Sequence, residues 1–111
     1  MEKPLLLGEF EQIALLAILR LEQNAYGVSI RAEIASCTGR QIAPGALYTT
    51  LDRMEEKGLV RSWMGEATPQ RGGRSKRYYA LTQAGRTALV KAQQAYQSLL
   101  KGLDLLESRH A

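Results

Sequence analysis

Cysteine and histidine are almost missing from this sequence of 111 residues, which has only Cys37 and His110. One cysteine excludes an intrachain disulfide and a multi-cysteine zinc site. One histidine, next to the last residue, removes the usual base of nucleophilic and acid–base catalysis. Gly72-Gly73 is not followed by the Gly-Lys-Ser/Thr of a phosphate loop. No enzyme, cofactor or metal site is therefore expected, and Cys37 is expected as a small buried hydrophobe. Long apolar runs are missing too. Eight of the nine residues from Ile13 to Leu21 are apolar, too few to span a bilayer, and no cleavable leader pattern precedes them. A cytoplasmic protein without a membrane partner is the expectation. The 45% hydrophobic content excludes intrinsic disorder, and the length suits one compact unit.

Acidic residues are absent from one long stretch. Residues 1–66 carry seven Lys and Arg against nine Asp and Glu, whereas residues 67–103 carry seven basic side chains and no acidic one. Like charges without internal partners oppose folding, so a polyanionic partner is suggested; a solvated basic face is the plain alternative.

The pattern of apolar residues divides the chain into elements. Gly8 to Leu21 reads as a helix apolar on nearly all sides, with Leu15, Leu16, Ile18 and Leu19 opposite Phe10, Ile13, Ala14, Ala17 and Leu21. Such a helix needs cover on two sides, and a second subunit is the expected second cover. A second helix follows, with Tyr26, Ile30 and Ile34 inward and Gly39 as its stop. A third helix, 43–57, opens at Pro44, buries Leu47, Leu51 and Met54, and stops at Gly58. Leu59 to Gly65 and Arg74 to Leu81 read as strands around the turn-forming tip 67–73. Thr82 is the expected N-cap of a last helix reaching about Leu106. The expectation is a mainly α fold with a small β-hairpin. Residues 1–81 would form a winged helix-turn-helix and 82–111 a C-terminal dimerisation helix, in one compact unit.

Two sets of residues carry the candidate function. On the third helix, Gly45 lets the N-terminus approach a duplex, and Thr49 and Arg53 face outward, where they suit base edges. Tyr48 offers a hydroxyl to a phosphate. In the wing 66–77, Arg71, Arg74, Lys76 and Arg77 place four cations within seven residues, beside two glycines that permit close backbone approach. The third helix itself carries a net −1 over 44–57, so affinity is expected from the wing and base reading from the helix. In the last helix Leu89, Ala92, Tyr96, Leu99, Leu103 and Leu106 are spaced 3, 4, 3, 4, 3, a heptad seam suited to a homodimer or to packing on the chain's own core. The residues leave a second reading open, a winged-helix interaction module for RNA or a protein partner.

Several blocks resemble those of the PadR-type transcriptional regulators. They are Leu5-Leu6-Leu7-Gly8-Glu9, Ala25-Tyr26-Gly27-Val28, Gly45-Ala46-Leu47-Tyr48, Leu51-Asp52-Arg53-Met54-Glu55-Glu56-Lys57-Gly58-Leu59-Val60, Arg71-Gly72-Gly73-Arg74 and Tyr78-Tyr79-Ala80-Leu81-Thr82-Gln83-Ala84-Gly85. The resemblance implies a dimeric transcription factor, usually a repressor, whose third helix reads the major groove of a palindromic double-stranded DNA operator. Tyr48, its helix neighbours and the basic wing inherit the DNA contacts. Members often dimerise through the C-terminal helix, and some release DNA on binding a small-molecule effector. Trp63 lies in the hairpin, and no residue inherits an effector-binding role. Ala43 stands where the family often has a capping serine, so the phosphate contact of that side chain is lost.

Overall fold

The computed structural model describes residues 7–65 and 75–106. The elements run α1 (Glu9–Leu21), a 3₁₀ turn (Glu22–Asn24), α2 (Gly27–Thr38), α3 (Pro44–Glu56), β1 (Val60–Met64), β2 (Arg77–Leu81) and α4 (Gln83–Leu100). β1 and β2 form an antiparallel pair with Val60 opposite Leu81 and Met64 opposite Arg77. Gly65 continues the ladder, its N–H donating to the Lys76 carbonyl at 2.7 Å. The tip 66–74, with Arg71 and Arg74, lies outside the described residues.

The core is one apolar cluster. Leu15 and Ile18 of α1 meet Ile30 and Ile34 of α2, Leu47, Leu51 and Met54 of α3, and Leu59, Val60, Tyr79 and Leu81 of the hairpin. α2, α3, β2 and α4 pack against α1 and bury most of it, leaving Phe10, Ile13, Leu19 and Leu21 half-buried. Of its large apolar side chains Leu16 stays well exposed, at 40%. Removing Tyr79 from water also pushes its phenol above its ordinary pKa.

The stops and starts follow the residues that mark them. Gly39 and Gly58 take left-handed conformations, φ 76° and 77°, at the ends of α2 and α3. Thr82 caps α4, accepting from the Gly85 N–H at 3.0 Å, and donates its own hydroxyl proton to the Gly58 carbonyl. One residue thus joins the end of α3 to the start of α4. Gly85 is required there, since a Cβ at that position would fall on the Leu59 carbonyl oxygen.

Two expectations for the C-terminal part are corrected. α4 ends at Leu100, six residues short of Leu106. Lys101 leaves the helix in an extended conformation and Gly102 turns at φ 80°, a helix stop that overrides the heptad spacing. Leu103 and Leu106 therefore lie beyond the helical stripe. Leu89, expected in the dimer seam, is 4% exposed and belongs to the chain's own core. Cys37 is likewise exposed rather than buried, its thiol 3.6 Å from a Glu33 carboxylate oxygen.

Candidate nucleic-acid interface

α3 starts without a side-chain cap. Ala43 makes no capping hydrogen bond, and Pro44 removes one of the unpaired N–H groups of the first turn. Leu47, Thr50, Leu51 and Met54 turn inward. Gly45, Thr49, Asp52 and Arg53 are left on the exposed side, as the 3.6-residue period requires. Tyr48 is 42% exposed and leans towards the start of α2, where a Cβ on Gly27 would fall on its hydroxyl oxygen. The phenol thus lies against backbone that only a glycine leaves open.

The hairpin reaches the same place from the other side. The Tyr79 N–H donates to the Ala25 carbonyl at 2.9 Å, and Tyr26 forms an isolated bridge with Tyr78. The residues just before α2 are thus tied to the outer edge of β2. Tyr26, Gly27 and Val28 from the start of α2, Tyr48 from α3, and Ser75, Lys76 and Arg77 from the hairpin line one open groove of about 450 Å³.

Neighbouring cations of the hairpin are held differently, as the alternation of side chains along a strand predicts. Arg77 donates to the Ser62 hydroxyl at 3.0 Å, and Ser62 in turn donates to the Glu55 carboxylate of α3 at 2.8 Å. The Lys76 ammonium lies 3.9 Å from the centre of the Tyr26 ring. That ring meets Tyr78 edge-on at 5.5 Å, and Tyr78 stacks on Trp63, whose other neighbour is the Arg61 guanidinium.

Of the residues expected to carry function, Gly45, Tyr48, Thr49, Arg53, Lys76 and Arg77 are described, and Tyr48, Lys76 and Arg77 share the groove. Thr49 and Arg53 lie on the exposed side of α3 outside its lining. Residue spacing did not point to Tyr26, Gly27, Val28 or Ser75 as members of the site, nor to Tyr78 behind Tyr26. The available signal was Tyr26-Gly27 opening a helix and the aromatic pair in β2, but pairing between them is a long-range contact.

Residues 15–91 match the model of the transcriptional regulator PadR-like family. The chain belongs to that family. Transcriptional regulator Rv3488 of Mycobacterium tuberculosis is 36% identical over 82 residues, 72% of this chain and 70% of that protein. A PadR family transcription regulator from hypervirulent Clostridium difficile R20291 superposes with a TM-score of 0.65 at 28% identity, covering 83% of this chain and 92% of the other. The complex structure of hsRosR-SG gives a TM-score of 0.70 at 28% identity, over 87% and 79% of the two chains. The molecule is thus a PadR-like transcriptional regulator with the winged-helix fold of its relatives. Among the described residues of this PadR-like chain, no helix is long and apolar enough to cross a membrane.

Proposed function

We propose that this PadR-like chain is a homodimeric repressor that binds a palindromic operator in double-stranded DNA. α3 enters the major groove and the wing follows the flanking backbone. The observation that carries the reading is the groove where Tyr48, Lys76 and Arg77 meet the first turn of α2. Phenol hydroxyl, ammonium, guanidinium and backbone N–H are the groups that hold phosphate oxygens without reading sequence. Thr49 and Arg53, on the outward side of α3, are the base readers. Arg71 and Arg74 of the tip add to the backbone contacts.

The homodimer reading rests on α4. Beyond Gln93, which donates to Gln12 of α1 at 3.2 Å, every described residue is exposed. Tyr96 and Leu99, 53% and 76% exposed, continue the stripe that Leu89 and Ala92 begin against the core. Beside them Ala84, Ala88, Ala92 and Ala95 line a groove of about 640 Å³ that Gln12, Gln83, Thr87 and Lys91 border with polar groups. A soluble chain rarely leaves such a surface uncovered, and a second copy related by two-fold symmetry covers both at once.

In vitro selection of duplexes with the purified protein tests the reading. The expected outcome is a palindromic consensus bound by two copies, with affinity falling steeply as salt rises. Binding that ignores both sequence and salt would sink it.

A further inference from the structure

Lysine in a wing is a flexible charge, free to point in many directions, and ordering it on a phosphate costs entropy. Here its direction is already set. The Lys76 ammonium sits 3.9 Å from the centre of the Tyr26 ring, within the range where the negative face of an aromatic ring attracts a cation. Tyr26 is itself held in place, at its ring and along its backbone. Tyr78 packs against it edge-on at 5.5 Å. Its backbone bridges to Tyr78, its N–H donates to Ser29 Oγ at 2.9 Å, and its carbonyl accepts from Ile30 at 2.8 Å. Tyr26 therefore belongs to the frame of α2, and Lys76 is referred to that frame rather than to its own loop.

The kind of seat matters as much as its place. A carboxylate would hold the ammonium but cancel its charge towards a third group. A ring face holds it while leaving the full positive charge available. The neighbouring Arg77 is held in another way, donating to the Ser62 hydroxyl.

We propose that Tyr26 is a positioning residue for DNA binding, a ring that aims the Lys76 ammonium at the phosphate approached by α2 and Tyr48. This rests on the DNA-binding reading above and adds to it a residue that touches no base. The loss on removing the ring should therefore be coupled to Lys76.

The test is a double-mutant cycle on the wild-type protein, Tyr26→Leu, Lys76→Ala and the pair, titrated over several salt concentrations onto a duplex selected in vitro with the wild type. Tyr26→Leu should weaken binding by about three- to tenfold, the scale of a partly exposed cation–π contact. Lys76→Ala should reduce the salt slope by about 0.9, one phosphate contact. In the Lys76→Ala background, Tyr26→Leu should cost much less than it does in wild type, the two losses being coupled through the cation–ring contact. A loss of equal size in both backgrounds would overturn the proposal while leaving the DNA-binding reading intact. Wild type that binds duplex without salt dependence would overturn both. The free protein supplies a measurement that survives a failure of Tyr26→Leu to fold. The Lys76 ε-methylene protons should resonate upfield of ordinary lysine in wild type, from the ring current, and normal shifts there would equally overturn the proposal.

Discussion

At the scale of single residues, the candidate interface depends on one glycine and one tyrosine. A Cβ at Gly27 would fall on the phenol of Tyr48. The ring can swing away, so Gly27→Ala should change stability by less than about 1 kcal/mol, the gain in helix propensity offsetting the displacement. DNA binding should nevertheless fall to the level of Tyr48→Ala, with no further loss when the two are combined; fluorescence anisotropy on a selected duplex beside urea unfolding checks both. Thr49→Ala and Arg53→Ala should behave differently, each costing about 1–3 kcal/mol on the selected site and much less on random duplex. Equal losses on both would assign them to the backbone. The inward and outward residues of α3 were legible from the sequence, because the helical period alone sorts them. The partners of Tyr26 were not, since a residue before α2 and a residue in β2 share no local pattern and meet only through the fold.

At the scale of elements, the starts of α1 and α4 are held by contacts that can be removed one at a time. Glu11 at the third position of α1 accepts from the Gly8 N–H at 2.9 Å and from Lys57 Nζ at 3.2 Å, tying α1 to the end of α3. Burial pushes its carboxyl pKa up, but the Gly8 N–H and the Lys57 ammonium outweigh that and hold it below the ordinary 4.5. A lowered folded pKa means that the carboxylate contributes stability in full above the ordinary value and loses it as pH falls through the lowered one. Glu11→Gln should therefore destabilise the protein by about 1 kcal/mol at neutral pH. The difference from wild type should disappear below the ordinary carboxylate range; a difference that persists in acid would show that shape rather than charge matters there. Gly85→Ala at the start of α4 should cost about 1–3 kcal/mol at any pH, because its Cβ meets the Leu59 carbonyl oxygen of fixed backbone. The Thr82 cap and the Gly58 stop were legible because their chemistry is local. The end of α4 was not legible, because the heptad spacing of leucines continues across Gly102 although the helix does not.

At the scale of the whole molecule, the chain is longer than one compact unit requires. Its radius of gyration is 16.7 Å and its longest dimension 59 Å, against about 13 Å of radius expected for a compact domain of this size. The second half of α4 lacks cover from the rest of the described chain. Tyr96 and Leu99 are the exposed residues of the stripe that still lie on the helix, so they are where a second copy should pack. Tyr96→Glu with Leu99→Glu would place two carboxylates in that contact, where loss of water opposes both. The pair should shift the monomer–dimer equilibrium at least about tenfold towards monomer while leaving the monomer's own unfolding unchanged, since neither side chain belongs to the core. Leu103→Glu, beyond the end of the helix, should cost less. Two-fold pairing would set the two α3 helices about 34–36 Å apart, one turn of DNA. The double variant should accordingly keep its weak affinity for a single half-site and lose the gain that a second half-site at that spacing brings to wild type. Sedimentation at nanomolar concentration, run beside titration of duplexes with one and two half-sites, separates these effects. A variant that remains dimeric, or a wild type that gains nothing from the second half-site, would refute α4 as the element that couples assembly to DNA binding.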